Sequence, residues 1–341
     1  MNTNRIKKLV SCVAFCSLFC CLLARTNDIL VSKQYNRYYM MEKIAQEAKG
    51  SYDVHVYGAC HSYTSFHPIV LEANCGITSY VIGNPGEIIP VTYLRMMEGF
   101  RRDVPEVAVV EIWGLNAYET YSSVDRIFSY YMPVNIERLP LSLEKMEVIQ
   151  DYASLDLRQE NFAVAKYKER IMNGELTKLD FSYSIEDNIE QTSQYSKEEM
   201  TMRAQNNGFT VMPMWWDDPQ GYTPYMDVSD YDERQAKVAE DDCLPYESDI
   251  VKYVDKIIAL CEKYEVELIF YRAPYISREN ELRKANWFSQ YCQERGIVYI
   301  DLEKEMEFNL DSDFLDYWHL NEEGAKKATN YLATYILDAM K

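Results

Sequence analysis

The chain has 341 residues, 48% of them apolar and 26% charged, with a net charge of −19. That length holds one large α/β domain or two small ones. The acidity argues against nucleic acid or an anionic membrane surface as a binding partner.

Arg5, Lys7 and Lys8 form a basic head, and Leu9 to Ala24 is a run of 16 uncharged, mostly apolar residues. This pattern predicts a signal peptide or signal anchor over residues 1–25, basic end in the cytoplasm. The run falls just below the usual spanning length of about 17–25 residues. Leu22 is a poor residue at the −3 position of a cleavage site after Ala24, which favours an uncleaved anchor. Either form places the body outside the cytoplasm, membrane-tethered or secreted. Residues 26–51 read as a stalk with a helix, Tyr39, Met40, Ile44, Ala45 and Ala48 giving its spacing.

Of nine cysteines, Cys12, Cys16, Cys20 and Cys21 lie in the apolar run. The other five are Cys60, Cys75, Cys243, Cys261 and Cys292, an odd number that leaves at least one thiol unpaired. There is no C-x-x-C pair, and His55, His61 and His67 have no nearby acidic ligands, so no metal and no cofactor is expected.

Tyr52 to Pro68 begins as a strand over Asp53–Tyr57 and stops at Gly58. Gly58-Ala59-Cys60-His61 then has the form of a strand end that holds a nucleophile at the lip of a sheet. The glycine supplies the freedom for a sharp turn. A half-buried cysteine in an ordinary strand-to-helix turn is the plain alternative. Ile69–Asn74 reads as a helix stopped by Gly76, Ser79–Ile82 as a second strand and Val91–Arg101 as a helix. Glu106–Trp113 is the clearest buried strand.

Residues 117–245 interrupt this alternation. Leu141–Tyr152 and Leu157–Met172 have helical spacing, and Phe209–Tyr225 is an apolar island in an acidic stretch. A structureless loop of that length is unusual in a compact domain, so the segment reads as a helical and irregular insertion over the active-site face. Within it Trp215, Trp216 and Tyr222 are suited to stacking on a sugar ring or closing over an acyl chain; pinning the insertion to the core is the alternative.

Regularity returns with a helix over Asp249–Tyr264, a strand over Glu267–Arg272, a helix over Asn280–Glu294 and a strand over Ile297–Asp301. A closing helix starts at about Ala325. Strands alternating with helices predict a parallel sheet covered on both faces, with its site outside the carboxyl ends of the strands. Just before the last helix, Asp316 and His319 are three residues apart. Such a pair can set a carboxylate on one imidazole nitrogen and leave the other for a nucleophile.

Gly58-Ala59-Cys60-His61 and Asp316-x-x-His319-Leu320-Asn321-x-x-Gly324 together resemble the SGNH/GDSL hydrolase-like superfamily. The similarity is to its membrane-tethered branch, where Gly-Ser-Ser-His stands near the N-terminus and Asp-x-x-His-Leu-Asn-x-x-Gly near the C-terminus. It covers residues 52–113 and 251–341, and departs at Cys60, where the family has serine. The resemblance implies a flavodoxin-like three-layer α/β/α sandwich, the SGNH hydrolase fold, over residues 52–341. It implies Cys60 as nucleophile, His319 as general base and Asp316 as its orienter. Gly86, after the second strand, and Asn116, in Gly114-Leu115-Asn116 after the third, take the positions of the family's oxyanion donors, with a plain turn asparagine the alternative for Asn116. Tethered members move acyl groups on surface polymers beside a membrane-bound O-acyltransferase. The implied substrates are therefore a surface glycan or small acyl ester, by transfer or hydrolysis. A degenerate scaffold acting in binding or assembly is the competing reading.

Overall fold

The computed structural model describes residues 3–30, 47–116, 135–136, 139–140, 142–152, 202–203, 205–210, 237–316 and 318–341. Side chains of Thr3, of residues 23–30 and of Tyr152 are outside that description, as are Leu157–Met172, Trp215, Trp216, Tyr222 and residues 31–46 of the expected stalk and helix.

Five strands form one sheet, all parallel, in the order β2-β1-β3-β4-β5. They are β1 (Val54–Gly58), β2 (Ser79–Gly83), β3 (Val107–Glu111), β4 (Glu267–Arg272) and β5 (Val298–Asp301). This is the flavodoxin-like order, with the topological switch between β1 and β3.

Period-two alternation divides the sheet residues between two cores. Val54, Val56, Val107, Val109, Ile269 and Tyr271 pack on one face, with Leu332 and Ile336 from the last helix. Tyr57, Ala108, Val110 and Phe270 pack on the other, with Leu94, Val254, Ile257 and Phe288. At roughly 1.5–3 kcal/mol for each large apolar side chain buried, these two faces supply the main driving force of the fold.

The helices follow from that division. The first face is covered by α2 (Cys60–Ser65), α3 (Pro68–Cys75) and α9 (Glu322–Ala339). The second is covered by α4 (Ile89–Arg102), α6 (Ser248–Tyr264) and α7 (Glu279–Glu294), with α5 (Leu143–Tyr152) against α4. α8 (Leu302–Glu305) is a single turn after β5. α9 starts three residues earlier than its apolar spacing suggests, because Asn321 caps it: its side chain accepts from Gly324 N at 3.0 Å.

A described fragment of the insertion closes one sheet edge. Val81 N on β2 donates to Asn207 O at 2.9 Å, and Thr210 N donates to Tyr63 O at 3.0 Å. Phe209, the first residue of the apolar island, is buried and stacks on His67 with centroids 3.9 Å apart. An open edge strand invites pairing with another chain, and residues 205–210 occupy that position here.

At the other end of the chain, α1 (Thr3–Leu30) runs well past the apolar stretch on both sides. Leu9, Val13, Phe15, Leu18, Phe19 and Leu22 are all exposed on it. Among the described residues, no helix is long and apolar enough to cross a membrane.

Candidate active site

The carboxyl edge of the sheet collects the chemistry-bearing residues. Gly58 ends β1 with φ +140°. A Cβ there would lie 2.8 Å from Glu111 Cβ and 2.9 Å from Glu111 O, so the turn needs glycine for both conformation and space. Cys60 opens α2 immediately afterwards, half-buried at the switch point, with its thiol free. Cys75 is also a free thiol, so no disulfide joins it to Cys60.

The loop before α9 is built to hold one imidazole. Asp316 Oδ1 accepts from Trp318 N at 2.7 Å and His319 N at 2.8 Å, so the carboxylate is fixed by the backbone of its own turn. His319 Nδ1 lies 3.0 Å from both Asp316 oxygens. Leu315 N donates to His319 O at 2.9 Å, and Phe314 and Leu320 form an antiparallel bridge around the turn. Leu320 is buried in the core, and Gly324 lets α9 approach Asp313 O, which a Cβ would meet at 2.2 Å. Each fixed position of the Asp-x-x-His-Leu-Asn-x-x-Gly pattern thus has a structural task.

With Nδ1 committed to Asp316, His319 turns its Nε2 toward Cys60. That nitrogen is buried without a hydrogen-bond partner, and one donor atom from each of Cys60, His61 and His319 lies within 4.8 Å of the other two. Burial pulls the His319 pKa down, but Cys60 and Asp316 outweigh it and raise it to about 10. Asp316 is held below the usual carboxylate range: burial would push it up, and the His319 ring with the Trp318 and His319 amides prevails.

His61 is a site residue that the sequence motif contained without revealing its place. Its ring stacks on Trp113 at 5.0 Å and packs against Tyr275 at 5.3 Å and His319 at 5.2 Å. Its Nδ1 is 3.7 Å from Cys60 Sγ. Burial first, then repulsion from His319, holds its pKa well below 6.5 against the smaller pull of the Trp318 backbone. His61 is therefore neutral at physiological pH.

No protein-family model matches the chain, and no curated protein does. The functional reading therefore stands on the site's own geometry.

The candidate oxyanion groups sit on the two neighbouring strand ends. Gly86 has φ +61° in the turn after β2, and that turn is clamped from below. Glu87, fully buried, accepts from Arg95 Nε at 2.7 Å, Asn84 Nδ2 at 3.1 Å and Thr92 Oγ1 at 3.0 Å. Asn135 Nδ2 donates to Pro85 O at 3.1 Å, and Arg95 Nη2 returns to Asn135 O at 3.0 Å. Asn116 is buried after β3, oriented by two tyrosines: Tyr246 Oη donates to its Oδ1 at 2.9 Å, and its Nδ2 donates to Tyr275 Oη at 3.0 Å. The amide is thus positioned by partners 130 and 159 residues away.

Two further buried polar groups lie on the same edge. Glu111, at the end of β3, accepts from Trp113 N at 2.9 Å, while its Oε2 is buried without a hydrogen-bond partner. Burial raises its pKa to about 8 against the opposing Trp113 and Ala273 amides, so it is mostly protonated at pH 7. Arg272, at the end of β4, is buried between Asp301, Glu303 and Ser277.

Proposed function

We propose that this chain is an extracytoplasmic, membrane-tethered acyl-ester enzyme that works through Cys60, His319 and Asp316. The observation that carries the reading is His319 itself. One ring nitrogen is fixed by Asp316, and the other is buried and faces the free Cys60 thiol at the carboxyl edge of a parallel sheet. This is the arrangement of nucleophile, base and orienter that acyl transfer requires.

The chemistry follows from the charges. A His319 pKa of about 10 keeps the imidazole protonated beside Cys60 at neutral pH, so the proton for the leaving alcohol is in place, and the attacking form of the nucleophile is the thiolate. The sulfur attacks the ester carbonyl carbon and the carbonyl π electrons move to oxygen. Gly86 N–H and Asn116 Nδ2 are the donors assigned to that anion, and one such donor is worth about 3–4 kcal/mol. Collapse expels the alcohol, which takes the proton from His319 Nε2 and leaves a thioester on Cys60. His319, now neutral, accepts a proton from water or from a glycan hydroxyl as that oxygen attacks the thioester. Water gives hydrolysis; a hydroxyl of a surface polymer gives transfer.

One feature supports the tethered setting: α1 combines a basic head with apolar side chains that no other part of the described protein covers. The partner proposed for that setting is a membrane-bound O-acyltransferase that would supply or receive the acyl group. Trp215, Trp216 and Tyr222 are assigned to the glycan or acyl chain on sequence grounds.

The test is to trap the intermediate. The full-length protein is mixed with an aryl acetate, quenched in acid and digested. The reading expects an acetyl mass on the Cys60 peptide that hydroxylamine removes, absent from Cys60→Ala. Aryl acetate turnover equal in wild type and Cys60→Ala would overturn it, leaving the scaffold of a surface binding protein.

A further inference from the structure

Cys60, His61 and His319 bring one thiol and two imidazoles to a common point, their donor atoms within 4.8 Å of one another. These are the donor types that select zinc over magnesium or calcium. One pairwise distance matches what that ion needs. With Zn–S near 2.3 Å and Zn–N near 2.0–2.1 Å, a tetrahedral site separates sulfur and nitrogen by about 3.6 Å. Cys60 Sγ and His61 Nδ1 are 3.7 Å apart.

Two independent features point the same way. The Nε2 atom of His319 is buried without a hydrogen-bond partner, in a ring that is 11% exposed. In addition, His319 gives its other nitrogen to Asp316 at 3.0 Å. A carboxylate on the far nitrogen is the usual support of a metal-binding histidine, fixing ring orientation and raising its basicity.

We propose that Cys60, His61 and His319 form a three-donor site for a thiophilic divalent cation, Zn2+ fitting best, and that occupancy shuts off the nucleophile. The site is open on the fourth side because Cys60 is only half-buried, which leaves a position for water. Binding forms a Zn–S bond with the lone pair that would attack the ester, and a Zn–N bond with the nitrogen that would carry the proton. The proton held between Cys60 and His319 goes to solvent. The proposal deepens the reading of this site and rests on its geometry, while its test does not rest on turnover. The absence of a C-x-x-C pair does not bear on it, because these donors come from two chain segments that only the fold brings together.

The full-length protein in detergent is titrated with Zn2+ against a chromophoric chelator, and in parallel with Co2+, whose sulfur-to-metal charge-transfer absorption reports a bound thiolate. Cys60→Ser and His61→Phe should each weaken Zn2+ binding at least ~10-fold, and Asp316→Asn by about 10–100-fold, the scale of lost supporting carboxylates. The cobalt absorption should vanish in Cys60→Ser, although Cys12, Cys16, Cys20 and Cys21 remain. His61→Phe keeps an aromatic ring in the stack, so its loss of affinity reports a lost donor and not a collapsed site. Wild-type protein that binds no Zn2+, or variants that bind it with wild-type affinity and the same cobalt spectrum, would overturn the site. If Zn2+ binds as described but no thioester is ever trapped on Cys60, the enzyme reading falls and the metal site stands. The reverse result removes only the metal site.

Discussion

His61 packs its ring against that of His319, centroids 5.2 Å apart and planes 31° from parallel. Because His61 is buried and neutral, it supports the charged imidazole without competing for its proton. His61→Ala would open a cavity beside Trp113, Tyr275 and His319, and truncation of a buried ring costs about 3–5 kcal/mol. His61→Phe should recover most of that loss. Denaturant unfolding of both variants checks this; equal losses for Ala and Phe would show that the polar ring, not its packing, matters.

Arg95 and Glu87 form a fully enclosed ion pair at 2.7 Å beneath the turn that carries Gly86. Removing one partner leaves the other charge buried and alone, which costs about 3–5 kcal/mol. Arg95→Met should therefore destabilise by that amount, and Arg95→Met with Glu87→Leu by much less. If the double variant is as unstable as the sum of the singles, the pair is not the coupled unit described here. The double variant also separates stability from alignment: aryl acetate turnover should fall more than fold stability does.

Glu111 gives the protein a pH dependence of definite sign. Its folded pKa of about 8 lies above the ordinary 4.5, so between those values the folded state binds the extra proton. Stability is then greatest below pH 4.5 as far as this group is concerned, and falls as pH rises through 8. The full penalty is on the order of 3–5 kcal/mol. His319, also raised, acts in the same direction, so the comparison must isolate Glu111. Unfolding free energy from pH 5 to pH 8.5 should fall less steeply for Glu111→Gln than for wild type. Identical slopes would mean that Glu111 is ionised in the fold.

The exposed apolar side chains of α1 predict membrane association through residues 1–25. In fractionated cells the full chain should sediment with membranes, and a chain lacking those residues should not. Protease added outside, with any outer wall opened, should digest the domain; complete protection would contradict the extracytoplasmic assignment.

The parallel sheet was legible because buried strands have a plain signature. Val107–Glu111 and Glu267–Arg272 are short apolar runs bounded by turn residues, and the helices between them carry one apolar face. That Cys60, Asp316 and His319 come together was legible for a different reason: the motifs that suggested it have fixed local spacing, either a strand end or a three-residue turn. What escaped was polar and long-range. Nothing in the local sequence of Glu111 marks it as a buried neutral acid, because that depends on what surrounds the end of β3. The Tyr246–Asn116–Tyr275 chain and the Arg95–Glu87 clamp likewise join residues whose pairing only the fold decides. Residues 205–210 carry no strand pattern, yet they cover the edge of β2 through backbone groups that every sequence possesses.

The central claim is that Cys60 and His319 act as one charge-coupled pair, and the alkylation rate of Cys60 measures it most directly. Reduced full-length protein is treated with iodoacetamide at neutral pH after chelation of metals, and each cysteine peptide is followed in time. Burial raises Cys261 and Cys292 to about 12, so those thiols should be nearly inert. Cys60 should react faster than Cys75, Cys243, Cys261 or Cys292, and His319→Ala should remove that advantage by taking away the charge partner. Cys60→Ala should abolish aryl acetate turnover, while Cys60→Ser retains part of it. A Cys60 that reacts no faster than Cys75 or Cys243, at a rate unchanged by His319→Ala, would contradict the account.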